Sequence, residues 1–439
     1  MMRLHCGRLR RSSLSGMKQF TAALFLSALL AACTAAPPTP QQAWERAAAE
    51  SGVTGLSVTA RDDGGLNVTG RLNGNAFALR VPNNWNRSSV LFAHGYVTPR
   101  AGATESTPDP ARDESLGLLS AAYSQGYLAA NTAYAKIGYA VKEGMEANKA
   151  LRDFLVKAGS TRNYVTGASM GGNITVGLIE RYPADFAGAL AVCGVTPGWA
   201  SEMRYLIDFR VVYDALTRGT PYALPGNGDA LTPSAAYTQD AVNRSVGGLF
   251  GAASQGDRTA LAIIGQVARV TGAAADPISF ITPLAVTVDG LTDLLNTMKG
   301  IGYSNVGKVY TGSLNDAALN AGVQRITATP ESAAYLNANY TATGKFDAKL
   351  LTVHNLSDPL VPSLLVPEFA GVVKAAGNSA RLVQQFVDAK PVNLADLKNS
   401  GPAHCYFTPE QMATAWNELR GWVEQGVRPL DGVNITNAR

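Results

Sequence analysis

An α/β fold built on a mostly parallel sheet, and interrupted by one long helical insertion, is predicted from three observations. Apolar runs of strand length alternate with amphipathic runs of helix length up to residue 196 and again from residue 347, the rhythm of βαβ units. Between these parts, residues 197–346 lose the rhythm and hold mainly helix candidates. One strand-to-helix junction carries Gly167-Ala168-Ser169-Met170-Gly171, a G-x-S-x-G turn.

Taken in order, the chain opens with Lys18 ahead of a mostly apolar run, Phe20 to Ala32, that ends Leu30-Ala31-Ala32-Cys33. That run of 13 residues is too short to span a bilayer, which takes about 20, so residues 1–32 read as a signal peptide. Met17 is a second candidate start. The ending resembles a bacterial lipobox, which implies acylation of Cys33 as the new first residue. An ordinary secretory leader with an incidental cysteine is the alternative. Thr34 follows the cysteine, and without an aspartate there bacterial sorting favours the outer membrane in a source that has one, on its periplasmic or cell-surface face. Residues 33–50 then read as the lipidated cysteine and a Pro-rich tether. The leader holds Arg3, Arg8, Arg10, Arg11 and Lys18 and no acid, which takes the formal net charge from +4 for the whole chain to −1 from Cys33 onward. That removes the electrostatic case for a nucleic-acid partner and leaves the membrane, through the lipid, as the expected surface.

Residues 51–196 form the first part of the core domain. Alternating stretches at Leu66–Val68 and Phe77–Val81 suggest opening antiparallel strands, and Ser89–Ala93 a short buried one ending in His94-Gly95-Tyr96. Leu116–Ser124 reads as helix, Tyr127–Asn131 as strand, and Val141–Lys157 as a long amphipathic helix with Ala147, Leu151, Phe154 and Leu155 on one face. Tyr164–Thr166 leads into the serine turn, Ile174–Tyr182 is the helix after it, stopped at Pro183, and Ala187–Val192 is the next strand. Within 197–346 the helix candidates are Ala200–Leu216, Thr259–Val270 and Val286–Lys299. The second part of the core, 347–439, offers strand Lys349–Val353, helix Val366–Ala376, strand Leu382–Val387 and a closing helix from Thr408 to Gln425. Thr408-Pro409-Glu410-Gln411 supplies that helix with an N-cap and a proline at its first position.

Chemistry centres on Ser169. A sharp turn leaves no room for a side chain two residues before or after the nucleophile, hence Gly167 and Gly171, and the following helix aims its N-terminal N–H groups at the site. Ser124 and Ser254 have glycine two residues after but alanine two before, so Ser169 alone satisfies the pattern. A serine needs a base, and the base an orienting acid. Outside the leader the histidines are His94, His354 and His404. The order Ser, Asp/Glu, His asks for a base late in the chain and an acid after an earlier strand. His404, in Gly401-Pro402-Ala403-His404-Cys405-Tyr406-Phe407, and Asp358, just beyond strand Lys349–Val353, meet that order. Asp388 and Asp396 are rivals for the acid; His94 and His354 read better as packed, hydrogen-bonded strand-end residues.

On these segments the chain resembles secreted α/β-hydrolases of the serine esterase and peptidase type. The resemblance covers about residues 77–195 and 346–426 and rests on Phe92-Ala93-His94-Gly95, Gly167–Gly172, His354 with Asp358-Pro359-Leu360-Val361-Pro362, and His404–Thr408. It implies Ser169 as nucleophile, Asp358 as acid, His404 as base, and the backbone N–H groups of Tyr96 and Met170 as an oxyanion hole. The glycine often found before the base is Ala403 here, preceded by Pro402, a departure in the loop that carries His404. In such a fold the strand ends bearing Cys193 and Cys405 lie close, which implies a disulfide pinning the His404 loop; two free thiols are the alternative. Residues 197–346 fall where these hydrolases carry a lid.

No phosphate loop, dinucleotide fingerprint or Cys/His zinc spacing occurs, so no cofactor and no metal are called for. The expectation is a lipid-anchored extracytoplasmic hydrolase of small-molecule or polymeric esters, with feruloyl- or polyester-type substrates within its range. An aminopeptidase-like or amide hydrolase with the same triad is the alternative. A non-catalytic envelope binding lipoprotein is a third reading, opposed by the full Ser-Asp-His set.

Overall fold

The computed structural model describes residues 40–99, 108, 113, 115–232, 234–388, 390 and 401–437. The signal peptide, Cys33 and Asp396 lie outside them. Among the described residues nine strands form one sheet: β1 (Thr54–Ala60), β2 (Leu66–Leu72), β3 (Asn75–Val81), β4 (Ser88–Ala93), β5 (Leu128–Thr132), β6 (Arg162–Ala168), β7 (Gly188–Val192), β8 (Lys349–Asn355) and β9 (Leu382–Val387). Their spatial order is β1-β2-β3-β5-β4-β6-β7-β8-β9. The first three strands and the β3–β5 pair are antiparallel, and every pair from β5 to β9 is parallel.

The central strands are apolar throughout because both faces are covered. In β7, Ala189 and Ala191 join the core on one side while Leu190 and Val192 join the core on the other. The first side is closed by α3 (Val141–Lys157), α4 (Met170–Arg181) and α11 (Leu365–Ala375), which bring Met145, Ile174, Leu178 and Phe369. The second is closed by α2 (Leu118–Ser124) and α12 (Pro409–Gln425), whose Met412, Trp416 and Leu419 pack on Tyr164 and Leu190. Trp416 stands edge-on to both Tyr127 and Tyr164, at 4.9 and 5.1 Å between ring centres.

Two elements at the start of the core depart from the sequence reading, and within 197–346 the helices Gln239–Ser254, Asp316–Gly322 and Pro330–Tyr340 are not anticipated by it. Residues 40–51 form a helix, α1 (Pro40–Ser51), where a tether is expected. Trp44, Ala47 and Ala48, at helical spacing, are buried, and Trp44 stacks 6.1 Å from Trp85 and packs on Phe154. The burial of that tryptophan outweighs the Pro/Gln content that suggests a linker. The edge strand β1 has no clear apolar alternation, since most of its residues are exposed, and it is held by pairing with β2.

Among the described residues, six helices run between β7 and β8: α5 (Trp199–Thr217), α6 (Gln239–Ser254), α7 (Arg258–Thr271), α8 (Pro277–Met298), α9 (Asp316–Gly322) and α10 (Pro330–Tyr340). Phe209, Tyr213, Leu249, Ile263, Phe280 and Leu284 give this segment its own aromatic and aliphatic core. The helix α8 begins nine residues before the expected start at Val286. Asp276 caps it by accepting from Ser279 N at 2.9 Å, and Pro277 takes its first position. With 22 residues α8 is long and apolar enough to cross a membrane, yet Phe280, Leu284, Leu291 and Met298 are packed inside the protein.

A mostly parallel sheet with helices on both faces, and the G-x-S-x-G turn between β6 and α4 at its C-terminal edge, is the α/β-hydrolase fold. The ends of β4, β6, β7 and β8 converge on that edge, where open α/β sheets present their sites.

Candidate active site

Ser169 occupies the junction itself. Its φ of 59° and ψ of −124° lie outside the regions an ordinary residue adopts, and it caps the N-terminus of α4. The turn is over-determined: Ser169 N donates to Val192 O at 3.0 Å and Gly172 N to Ser169 O at 2.9 Å. A Cβ on Gly167 would overlap the carbonyl of Gly171, and one on Gly171 would overlap the carbonyl of Ala93. The two glycines therefore let the turn close on itself and against the end of β4.

Three loops meet over this turn. His404, between β9 and α12, sets Nε2 at 2.8 Å from Ser169 Oγ, and its Nδ1 lies 2.9 and 3.0 Å from the carboxylate oxygens of Asp358. With Nδ1–H donating to Asp358, Nε2 is free to accept the serine proton. Asp358 is 5% exposed, and its Oδ1 accepts from Leu360 N and Val361 N, both at 2.9 Å. Burial alone would raise its pKa; the facing His404 and these amides more than offset that, and the carboxyl titrates below the usual range. The rival Asp388 is turned to the C-terminal segment, where its Oδ1 accepts from Asn434 Nδ2 at 2.7 Å.

The other histidines have different surroundings. His354 is buried and its Nε2 donates to Val361 O at 2.8 Å, bracing the loop that presents Asp358; burial lowers its pKa. His94 stacks on Tyr134 at 3.7 Å and places Nδ1 2.8 Å from Gly95 O. Burial of its ring brings its pKa down to about 4.

The His404 loop is held from both sides. A disulfide joins Cys405 to Cys193, just past β7, with 5.4 Å between Cα atoms. The side chain of Asn355, the last residue of β8, donates to Tyr406 O at 2.7 Å and accepts from Tyr406 N at 3.1 Å. This clamp escapes the sequence reading; its one signal is an asparagine ending an apolar strand. Thr408 and Gln411 then close a capping box at the start of α12. The Cys193, His404 and Cys405 donor atoms lie within 4.8 Å of one another, but the two sulfurs are spent on each other and are not thiolate ligands.

Met170 is the first residue of α4, so its N–H has no intrahelical acceptor. Tyr96 lies three residues past β4, next to Gly95, where an added Cβ would come within 3.3 Å of the Ser169 Cβ. Among the described residues neither amide donates to another protein group. The Tyr96 loop is tied to α8: Asp293 accepts from Tyr96 Oη at 3.2 Å and from Tyr139 N at 2.7 Å. Asp293 is likewise invisible to the sequence reading, being one acid in an irregular segment.

Ser169 and His404 open into a cavity of about 410 Å³. Its walls come largely from α5 and α8, through Trp199, Glu202, Leu206, Ile281, Val286 and Leu294. Ser169 and His404 thus meet at a mainly apolar chamber, with the buried Asp358 carboxylate behind the imidazole, an arrangement that suits acyl transfer.

No family model matches the chain, and no curated protein matches it. Among solved structures it is similar to feruloyl esterase B from Aspergillus oryzae at 14% identity, over 89% of this chain and 91% of that one, with a TM-score of 0.47. An esterase from Aspergillus oryzae aligns at 12% identity over 86% and 87%, with a TM-score of 0.46. Tannin acyl hydrolase from Aspergillus niger aligns at 15% over 86% and 82%, with a TM-score of 0.40.

Proposed function

We propose that this chain is a serine hydrolase that cleaves carboxylic esters through an acyl-enzyme, held outside the cytoplasm by a lipid on Cys33. The single observation that carries the catalytic part is the continuous hydrogen-bonded line from the Asp358 carboxylate through His404 to Ser169 Oγ. Ser169 attacks the ester carbonyl as Nε2 of His404 takes its proton. Asp358 keeps the ring in the right tautomer and stabilises it once protonated. The N–H groups of Met170 and Tyr96 receive the developing oxyanion, a contribution of roughly 3 kcal/mol for one such donor. His404 returns the proton to the departing alcohol, and water repeats the sequence to free the acid. The segment 197–346 serves as a lid: its α5 and α8 wall the cavity and exclude water while charge develops. Export is supported by the apolar leader ending at Cys33 and by the Cys193–Cys405 disulfide, a bond at home in oxidising compartments.

A panel of p-nitrophenyl esters and aminoacyl-p-nitroanilides, assayed on protein without its leader, tests the reading. Esters are expected to turn over faster; faster anilide cleavage would reassign the enzyme to amides. A fluorophosphonate should label Ser169 alone, and Ser169→Ala should cost a factor of about 10⁴ or more in kcat with little change in Tm. Full turnover in that variant removes the assignment.

A further inference from the structure

The loop that carries the Tyr96 amide is held from several directions. Gly95 O, the far end of the peptide that bears the Tyr96 N–H, accepts from His94 Nδ1 at 2.8 Å. That peptide is trans, so its N–H points away from the His94 ring. Val97 O accepts from Gly138 N at 2.9 Å, and these two residues form an antiparallel bridge. A further hold comes from α8. One carboxylate oxygen of Asp293, Oδ2, accepts from both Tyr96 Oη and Tyr139 N. It thereby grips the Tyr96 side chain and the backbone segment that braces Val97. The approach is close: at Gly138, whose φ is 82°, an added Cβ would stand 2.5 Å from that oxygen. One turn further along α8, Thr297 Oγ1 accepts from Lys136 Nζ at 2.7 Å, a second tie to the same segment. The helix that makes these bonds also lines the chamber, through Ile281, Val286, Gly290 and Leu294.

We infer that Asp293 is a positioning residue for the oxyanion hole, and that α8 sets through this one carboxylate where the Tyr96 N–H stands relative to Ser169. This rests on the hydrolase reading of the site. Asp293 touches neither the ester nor the reacting atoms; it acts through Tyr96 and the 138–139 backbone. A donor placed in advance stabilises the developing oxyanion without reorganising, and that benefit is lost when the donor shifts. Bonds within 94–97 orient the Tyr96 peptide, whereas Asp293 ties it to the helix against which the substrate lies. Ground-state binding then belongs to the apolar wall of α8, and transition-state stabilisation draws on the carboxylate behind it.

Variants at two positions, read with two inhibitors, provide the test. Asp293→Leu removes both bonds, while Asp293→Asn keeps an oxygen where Oδ2 stands and retains both. Hexylboronic acid bonds boron to Ser169 Oγ as the serine proton passes to His404, and the tetrahedral adduct sets an oxygen in the oxyanion hole. Hexan-1-ol occupies the apolar chamber and forms no such adduct. In Asp293→Leu, kcat with p-nitrophenyl hexanoate should fall on the order of 100-fold, the cost of a reacting group misplaced by about 1 Å. Affinity for hexylboronic acid should fall with it, while the Ki of hexan-1-ol stays at its native value. Asp293→Asn should restore most of both losses. A purely structural role would weaken alcohol and boronate alike. Native kcat in Asp293→Leu, parallel loss of both inhibitors, or Asp293→Asn as slow as Asp293→Leu overturns the assignment. If Asp293→Leu does not fold, Tyr96→Phe decides, because it removes the hydroxyl bond to α8 and leaves the Tyr139 bond in place. Its kcat and boronate affinity should fall about threefold or more; an unchanged kcat overturns the proposal. Fluorophosphonate labelling carried to completion counts the competent serines, so each kcat is expressed per labelled site. Labelled, active native enzyme whose Asp293→Leu variant keeps its kcat sinks only the positioning role. No labelling and no turnover in the native protein removes the hydrolase reading and this role with it.

Discussion

At the scale of single residues, the three histidines share a residue type and differ in what surrounds them. His404 faces a serine hydroxyl and a carboxylate; His354 is enclosed and donates to a backbone carbonyl. His404→Ala should therefore match the loss in Ser169→Ala, since triad members act as a unit, while Asp358→Asn should cost somewhat less. His354→Ala should mainly lower Tm. Steady-state kinetics with thermal melts on the four variants check this, and a folded but inactive His354→Ala beside an active His404→Ala would reverse the assignment. His94 governs a pH effect. Its pKa falls from about 6.5 in the unfolded chain to about 4 in the fold, chiefly through burial. Between those values the unfolded state binds the extra proton, so stability is complete above about pH 6.5 and declines as pH falls toward 4, by roughly 3 kcal/mol at most. His94→Phe keeps a ring to stack on Tyr134 and has nothing to titrate. Melting curves from pH 7 to 4 should show a flatter decline in the variant; an unchanged slope places the acid sensitivity elsewhere.

At the scale of elements, the site depends on loops tied down across the sheet edge. The Cys193–Cys405 disulfide spans 212 residues of sequence and holds the residue after the base. Loop-closure entropy assigns such a bridge roughly 5 kcal/mol as an upper figure. Its catalytic consequence should be larger, because a base displaced by about 1 Å can cost on the order of 100-fold in rate. The Asn355 clamp on Tyr406 keeps the loop folded when the bridge is gone but leaves the residue beside His404 unpinned, so Cys405→Ala should show a large fall in kcat with only a moderate fall in Tm. Kinetics and calorimetry on the variant measure both quantities, and an unchanged kcat would mean that the clamp alone positions His404.

At the scale of the whole molecule, the proposed anchor and the proposed lid address where the proposed hydrolase works and on what. The −1 charge of the chain from Cys33 onward offers no broad electrostatic attraction to an anionic surface, which leaves the acyl chain as the membrane signal. Cys33→Ser should therefore shift the protein from the membrane to the soluble fraction. Mass spectrometry of the mature N-terminus supplies the check: an unmodified residue at any other position removes the anchor. The helices α5 to α10 meanwhile bring to the sheet edge residues from a part of the chain that has no strand rhythm, and these include Trp199 and Glu202.

Wherever local chemistry dictates local geometry, the sequence was legible. Gly167 and Gly171 flank Ser169 because a side chain at either would collide with a carbonyl, and such a constraint is written in the motif itself. Apolar runs of strand length located β4 through β9, and the chain order Ser169, Asp358, His404 singled out the residues that lie in one hydrogen-bonded line. Three-dimensional proximity between distant segments was not legible. Trp44 turns an expected tether into helix α1 only because Trp85 and Phe154 wait for it. Asn355 meets Tyr406 across 51 residues of sequence, and Asp293 meets Tyr96 across 197. Glu202 reads as an ordinary surface acid in the first turn of a helix until packing buries it in the wall of the cavity, with Oε2 left unpaired. Periodicity reports which face of an element is apolar; which polar group is trapped inside, and beside what, is decided only when the elements close on one another.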